Sequence, residues 1–357
     1  MLNNKLYVDI HVVETVPPSC INRDDTGSPK TAVYGGTVRA RVSSQCWKKA
    51  VRTMFADILP AEMIGKRTKL VPALIAEAIK TRNASLDADK LAKSVLEAAG
   101  LKLKEDKDES KTGALFFISQ SQIDALADLV VKSPAGKLDK KECQAALKAK
   151  PAIDVALFGR MVADDPSLNF DAAAQVAHAI STHAVHNEYD YFTAVDDCSP
   201  EDNAGAGHLG TVEFNSSTLY RYATVDVTEL EGNLGADTAL AVRAFVEAFA
   251  LSMPTGKQNT FANNMLPNAV YVTIRHDRPI NLVGAFESPV QTKNGGYVDE
   301  SIRAFVEHAQ SVYDEYLGAP DEAFAVGKAL SPLAPTMPLN ELLDKVESCV
   351  RTHGGQK

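Results

Sequence analysis

The order in which hydrophobic periods change along this chain is its strongest structural constraint. Leu6, Val8, Ile10 and Val12 alternate with Tyr7, Asp9 and His11, the pattern of a half-buried strand. Trp47, Val51, Met54, Phe55, Ile58 and Leu59 then recur at helical spacing and make one buried stripe. Residues 211–227 read as strand, Val242, Phe245, Val246, Phe249 and Met253 as a helix, and AVYVTIR, Ala269 to Arg275, as strand again. Strand, helix, strand material, helix, strand is the order of a split βαβ unit, so the expected fold class is α+β with a ferredoxin-like core. Residues 60 to 149 interrupt that order with Ala-, Leu- and Lys-rich helical patterns (LIAEAIK, LAKSVLEAAG, IDALADLVV) and read as a helical insertion. Within it, KEDKDESK, Lys104 to Lys111, is expected to be a charged, mobile linker.

A chain of 357 residues that is 45% hydrophobic can bury a substantial core, as one large domain with insertions or as two domains. No apolar run approaches the roughly 20 residues a membrane span needs, and the first residues lack the basic flank and apolar stretch of a signal peptide. A cytoplasmic location without a membrane partner is the expectation. The five cysteines are scattered without a CxxC pair, which predicts reduced thiols and no zinc site.

Charge is unevenly placed. The formal balance is -9, yet Thr26 to Ala56 carries six basic residues (Lys30, Arg39, Arg41, Lys48, Lys49, Arg52) and no carboxylate. A positive stripe on an acidic body suits a protein that holds a polyanion in one groove and repels it elsewhere; a solvated basic helix face is the plainer alternative. In VRARV, Val38 to Val42, an extended chain turns Arg39 and Arg41 to one side. Ser43 or Ser44 is a good N-cap, and Gln45, Lys48 and Arg52 then share one line of the following helix. A helix N-terminus, a hydroxyl and cations along one edge fit successive phosphates, and nothing among them selects a base. The aromatic ribonucleoprotein motif of ferredoxin-like RNA binders is missing from the sequence.

Several motifs fail in context. GAGHLG, Gly205 to Gly210, spells GxGxxG but follows an acidic loop and precedes strand-like TVEF, whereas a dinucleotide site needs strand before and helix after; it reads as a flexible loop tip. PTGKQNT, Pro254 to Thr260, has Leu251 where a phosphate loop needs its first glycine, so it reads as the turn after a helix, with Lys257 able to meet a phosphate. His178, His183 and His186 could offer a metal site or an acid–base pair, and the default for each is a buried or capping role. Asp196 and Asp197 read as solvated turn residues.

Taken together, PSCINRDD (Pro18 to Asp25), AVYGGTVRARVSSQCWKKAVR (Ala32 to Arg52), ALFGRM (Ala156 to Met161), AHAISTH (Ala177 to His183), DYFTAVDD (Asp190 to Asp197), HLGTVEF (His208 to Phe214) and YRYATV (Tyr220 to Val225) resemble the CasC backbone subunits of type I-E Cascade, the CRISPR RNA-guided surveillance complex. The resemblance implies a hand. Residues 1–59 and 150–357 would be an RNA-recognition-type palm, 60–149 helical fingers and 189–220 a thumb β-hairpin. Copies would assemble head to tail along the guide RNA (crRNA), with other Cascade subunits, and present guide bases to target DNA. Carried over by motif position, Asn22, Arg23, Ser43, Gln45, Lys48 and Arg52 would grip the guide backbone, and Met161 would wedge beside a displaced base. Arg39, Arg41, Lys49 and Lys257 are expected on the same path, and Lys293 against target DNA. No cofactor and no enzymatic activity are expected, since base pairing supplies specificity. The alternatives are a backbone subunit that also cuts target RNA through Asp24 or Asp25, and a guide-processing endoribonuclease using His183 or His186.

Overall fold

The computed structural model describes residues 5–106, 109–133, 138–194, 208–292 and 295–354. In chain order they form β1 (Tyr7–Ser19), β2 (Thr31–Tyr34), β3 (Thr37–Val42), α1 (Ser44–Ile58), β4 (Lys66–Thr68), α2 (Val71–Arg82), α3 (Ala88–Ala98), β5 (Leu103–Asp106), β6 (Glu109–Thr112), β7 (Phe116–Ile118), α4 (Gln120–Lys132), α5 (Lys140–Lys148) and α6 (Ile153–Phe158). There follow β8 (Ala174–Val176), β9 (Ala179–Ser181), β10 (Glu188–Ala194), β11 (His208–Asp226), α7 (Val227–Leu234), α8 (Thr238–Leu251), α9 (Gln258–Phe261), β12 (Ala269–Arg275), α10 (Val298–Val312), β13 (Glu322–Val326) and α11 (Leu339–Gly354).

The main sheet runs β13-β12-β1-β11-β9-β3-β2, with β10 paired to β11. Taking β1, α1, β9, β11, α8 and β12 as six successive elements, the strands lie in the order fourth, first, third, second, which is the ferredoxin-like arrangement the periodicity predicts. β12 covers AVYVTIR and is buried at every position, Thr273 and Arg275 included, with β1 paired on one side and β13 on the other.

Contacts divide the chain into two compact units. The first holds residues 1–51, 176–224 and 245–349, the second 52–175, 225–244 and 350–357. The second extends beyond the expected insertion of 60–149. Its core packs Val71, Ile75 and Ile79 of α2, Val95 and Leu96 of α3, Ile123, Leu126 and Val130 of α4, and Leu147 of α5. Asp87, Ser119 and Asp139 cap α3, α4 and α5 through their side-chain oxygens, and Gln122 completes a capping box on α4. The expected linker at Lys104 to Lys111 is instead a hairpin in its described part: Leu103 pairs with Thr112, Lys104 with Lys111 and Glu105 with Ser110. Charge density misled the reading: Lys104 and Glu105 are exposed on a strand that is nonetheless paired.

In the first unit β1 is buried on both faces rather than half-buried. Val8, Ile10 and Val12 face one layer; Asp9, His11 and Val13 face the other, where Tyr220, Tyr271, Phe305 and Ala309 pack. Asp9 accepts from the Tyr222 hydroxyl at 2.9 Å and from Ile280 N at 2.8 Å, and His11 Nδ1 meets the Tyr220 hydroxyl at 2.8 Å. Burial pushes the Asp9 carboxyl up to about 6 and the His11 imidazole down to about 3. The stability due to the raised Asp9 is complete below its unfolded value of 3.8 and is lost as pH rises through about 6. That due to the lowered His11 is complete above 6.5 and is lost as pH falls toward 3. Between about pH 6 and 4 the folded protein gains a proton on Asp9 while the unfolded chain gains one on His11, so the two cancel. Asp9→Asn removes one side of this balance. Relative to the parent, its unfolding free energy should fall by about 1.4 kcal/mol per pH unit across that window. Urea titrations of both proteins at several pH values check this, and parallel curves would contradict it.

Candidate nucleic-acid interface

The basic edge of the first unit is built by a short loop and a helix start. Ser43 caps α1: its hydroxyl accepts from Cys46 N at 3.3 Å, and its own N–H donates to Asn22 Oδ1 at 2.8 Å. The chain turns back after Asn22, with Arg23 bridged to Pro29, Lys30 N donating to Asn22 O at 2.9 Å and Arg41 N donating to Lys30 O at 2.9 Å. Asp24 organises that turn, accepting on Oδ1 from the Thr26 hydroxyl (2.8 Å), Thr26 N (2.9 Å) and Ser28 N (3.0 Å). The Thr26 hydroxyl, first among these bonds, holds the Asp24 carboxyl below its usual range.

Cations from separate segments converge here. Arg23 and Lys257 both act on the Cys20 thiol, which burial pushes up. Lys30 and Lys49 both act on Cys46, raised for the same reason. Lys257 is held at φ 51°, a left-handed conformation, and Gly256 before it approaches the main chain so closely that a Cβ would lie 2.3 Å from Ile21 O. That contact seats PTGKQNT against Cys20–Ile21 and explains why glycine stands there. Gln45 and Lys49 are exposed on α1, while Lys48 is half-buried and burial holds its pKa below the ordinary value. Arg41 donates from Nε to Thr31 O at 3.1 Å and from Nη1 to His178 Nδ1 at 3.2 Å.

Three expected contact residues have other duties. Arg39, on the same side of β3 as Arg41, is 0% exposed. It donates to the Thr37 hydroxyl (2.8 Å), Ser181 O (2.9 Å), Phe286 O (2.9 Å) and Glu287 O (3.2 Å). It therefore clamps the β2–β3 hairpin to chain from distant segments instead of meeting a ligand. The hairpin turn itself, Gly35–Gly36 at φ 55° and 73°, is the two-residue turn that needs positive φ at both positions. Ser43 is buried, with its oxygen committed to the helix cap. Arg52 is 26% exposed and pairs with the wholly buried Asp154 at 2.9 Å, over the Phe117 ring at 4.4 Å. Asp154 also accepts from Gly65 N at 2.8 Å. Arg52→Ala strips a buried carboxylate of its cation and should cost about 2–4 kcal/mol in urea unfolding, against within about 0.5 kcal/mol for Lys49→Ala on the exposed face. Equal costs would return Arg52 to the solvated edge.

Met161, in the second unit, is 87% exposed. Beneath it Arg160, passed over in the sequence, is buried. Lys293 lies outside the described residues, as do Asp196 and Asp197. The hairpin expected at 189–220 is present in its described part: Glu188 pairs with Phe214 and Phe192 with Gly210. Gly210 is a strand residue rather than a loop tip, and a Cβ there would lie 2.4 Å from the Phe192 ring; the remainder of GAGHLG up to Gly207 is outside the described residues. Tyr189 and Tyr191 stand exposed on β10. His183 is absorbed by the fold, accepting from Thr218 N at 3.1 Å and stacking on Tyr297 at 3.6 Å. Among the described residues no group of three His, Cys, Asp or Glu could hold a metal, and no helix is long and apolar enough to cross a membrane.

Nearly all of the chain has counterparts of known structure. One is a chain of a "CRISPR RNA-guided surveillance complex, pre-nicking", 34% identical, with TM-score 0.83, covering 96% of this chain and 100% of that one. Another, from a "CRISPR RNA-guided surveillance complex", is 29% identical with TM-score 0.63, covering 96% and 99%. No curated protein matches at a significant level. The sequence pattern described as CT1975-like protein matches residues 8–347, from β1 into α11. A match that takes in both compact units and every segment of the basic edge leaves one conclusion: the chain belongs to the CT1975-like protein family.

Proposed function

We propose that this chain is a non-catalytic backbone subunit of a cytoplasmic CRISPR RNA-guided surveillance complex of the type I-E, CasC kind. Copies of it line the guide RNA head to tail beside other subunits, hold the guide phosphates and leave the bases to pair with target DNA. The observation that carries this reading is the end-to-end similarity, over 96% of this chain and all of the other, to a chain of such a complex at 34% identity. The site agrees with it chemically. Arg23, Lys30, Arg41, Lys49 and Lys257 offer charge and N–H donors suited to a phosphate backbone, whatever the base. A heterologous contact that does not close yields an open filament, which suits a guide of fixed length. Asp24 is engaged in its own turn, which favours a binding role over target-RNA cleavage.

The test is the nucleic acid that accompanies the assembled complex. Discrete guide-length RNA is expected, and matching RNA with magnesium should not be cut into regularly spaced products. For single-stranded RNA, Lys48→Ala with Lys49→Ala should reduce the magnitude of the salt slope by about 1.4, irrespective of sequence. An unchanged slope would make the stripe a solvated helix face; regular cleavage would replace the non-catalytic reading.

A further inference from the structure

Lys30, Arg41 and His178 reach one place from three separate segments. Arg41 sits on β3, Lys30 is joined to it through Arg41 N and Lys30 O at 2.9 Å, and His178 precedes β9, whose Ala179 pairs with Val42 of β3. The strand pairing thus fixes where the imidazole stands relative to the guanidinium. Arg41 Nη1 lies 3.2 Å from His178 Nδ1. A guanidinium donates and does not accept, so Nδ1 accepts, and the imidazole is neutral with its hydrogen on Nε2. His178 is nonetheless exposed, and among the described residues none of the three side chains is ion-paired with a carboxylate. Partial burial first, then Arg41 and Lys30, hold the His178 pKa below its ordinary value. The charged groups that face it are those two cations.

We propose that Lys30, Arg41 and His178 form a proton-linked phosphodiester site, in which His178 is neutral when the site is empty and protonated when a backbone phosphate is bound. The inference rests on the guide-binding reading above and adds to it a residue and a pH dependence. Without an anion, protonating Nδ1 would set its N–H against the Arg41 Nη1–H and place a third positive charge beside two others. A phosphate oxygen between them reverses both penalties: Arg41 Nη1–H and His178 Nδ1–H each donate to it, and its charge favours the imidazolium. Binding therefore takes up a proton wherever the pH lies between the His178 pKa of the free and bound states. By linkage, affinity rises as pH falls, by at most about tenfold per pH unit for one proton.

The experiment uses the full chain and labelled polyuridine, whose bases do not titrate in the range, with dissociation constants measured from about pH 8 to 5.5. Wild type is expected to bind at pH 8 and to tighten about three- to tenfold per unit on acidification. His178→Gln should lose most of that gain, its affinity changing by less than about threefold per pH unit over the same range. An equal gain in His178→Gln overturns the proton-linked site while the binding at pH 8 upholds the guide-binding reading. Wild type that binds at no pH overturns both. Should His178→Gln fold poorly, the ring resonances of His178 in wild type decide: a titration midpoint that rises on adding polyuridine supports the site, and one that does not move refutes it.

Discussion

Glu14→Ala should destabilise the first unit by about 3–5 kcal/mol, enough to consume much of the stability of an ordinary domain. Glu14 on β1 and Arg221 on β11 form an ion pair in which both side chains are almost wholly buried. Arg221 also donates to Phe249 O and lies 3.6 Å over the Trp47 ring. Burial pushes the Glu14 carboxyl up and the Arg221 guanidinium down, and in each the pairing opposes the shift without outweighing it. The loss of hydration is thus the larger quantity for both partners. Two consequences follow from that ordering. Removing one partner strands an uncompensated charge and is costly. Removing both, as in Glu14→Leu with Arg221→Met, should recover most of the loss, because packed apolar groups of similar volume need no hydration. Chemical denaturation of the two single variants and the double variant measures the difference. If the double variant is as unstable as the sum of the singles, the pair is not coupled and the argument from burial fails.

The same kind of contact marks the limit of what the sequence reveals. AVYVTIR and the stripe Trp47, Val51, Phe55 were legible because periodicity is local: each residue's face is set by its neighbours a few positions away. The cap at Ser43 was legible for the same reason. What covers a face is not local. Arg39 and Arg41 share one side of β3, and only the chain at Phe286 and Glu287, arriving from far along the sequence, makes the first a buried clamp and leaves the second at the surface. Arg52 finds Asp154, and Asp9 and His11 find tyrosines from β11, in the same way. The basic stripe is continuous in the sequence, but in the fold Arg39, Ser43 and Arg52 are engaged internally while Arg41 and Lys49 stay nearer the surface. His178 was read only as a possible metal ligand, acid–base group or capping residue, since strand pairing alone brings it to Arg41.

Arg160 and Met161 are adjacent in ALFGRM and should respond oppositely to substitution. Arg160 is a buried cation held wholly by neutral acceptors. It donates to Leu168 O from Nε (3.1 Å) and Nη2 (2.9 Å), to Phe117 O (3.0 Å) and Gln122 Oε1 (3.3 Å) from Nη1, and to Leu147 O (3.0 Å) from Nη2. The rings of Phe116 and Phe170 lie 4.6 and 4.9 Å from its guanidinium carbon. Burial alone lowers its pKa, to about 10, so it stays charged at neutral pH. Arg160→Leu would leave three buried carbonyls without donors, and at about 1–3 kcal/mol for each the second unit should lose at least 3 kcal/mol or fail to fold. Lysine cannot span the same fork, so Arg160→Lys should rescue little. Met161→Ala, by contrast, removes a side chain that is 87% exposed and should change stability by less than about 0.5 kcal/mol. Arg160 thereby fixes a rigid base on which an exposed, apolar Met161 is displayed, an arrangement that core packing does not call for. In the proposed complex, Met161→Ala should leave assembly and thermal stability near wild type while altering the reactivity of the guide base beside it to a single-strand probe. A melting temperature that falls as far in Met161→Ala as in Arg160→Lys would show that the methionine belongs to the packing after all.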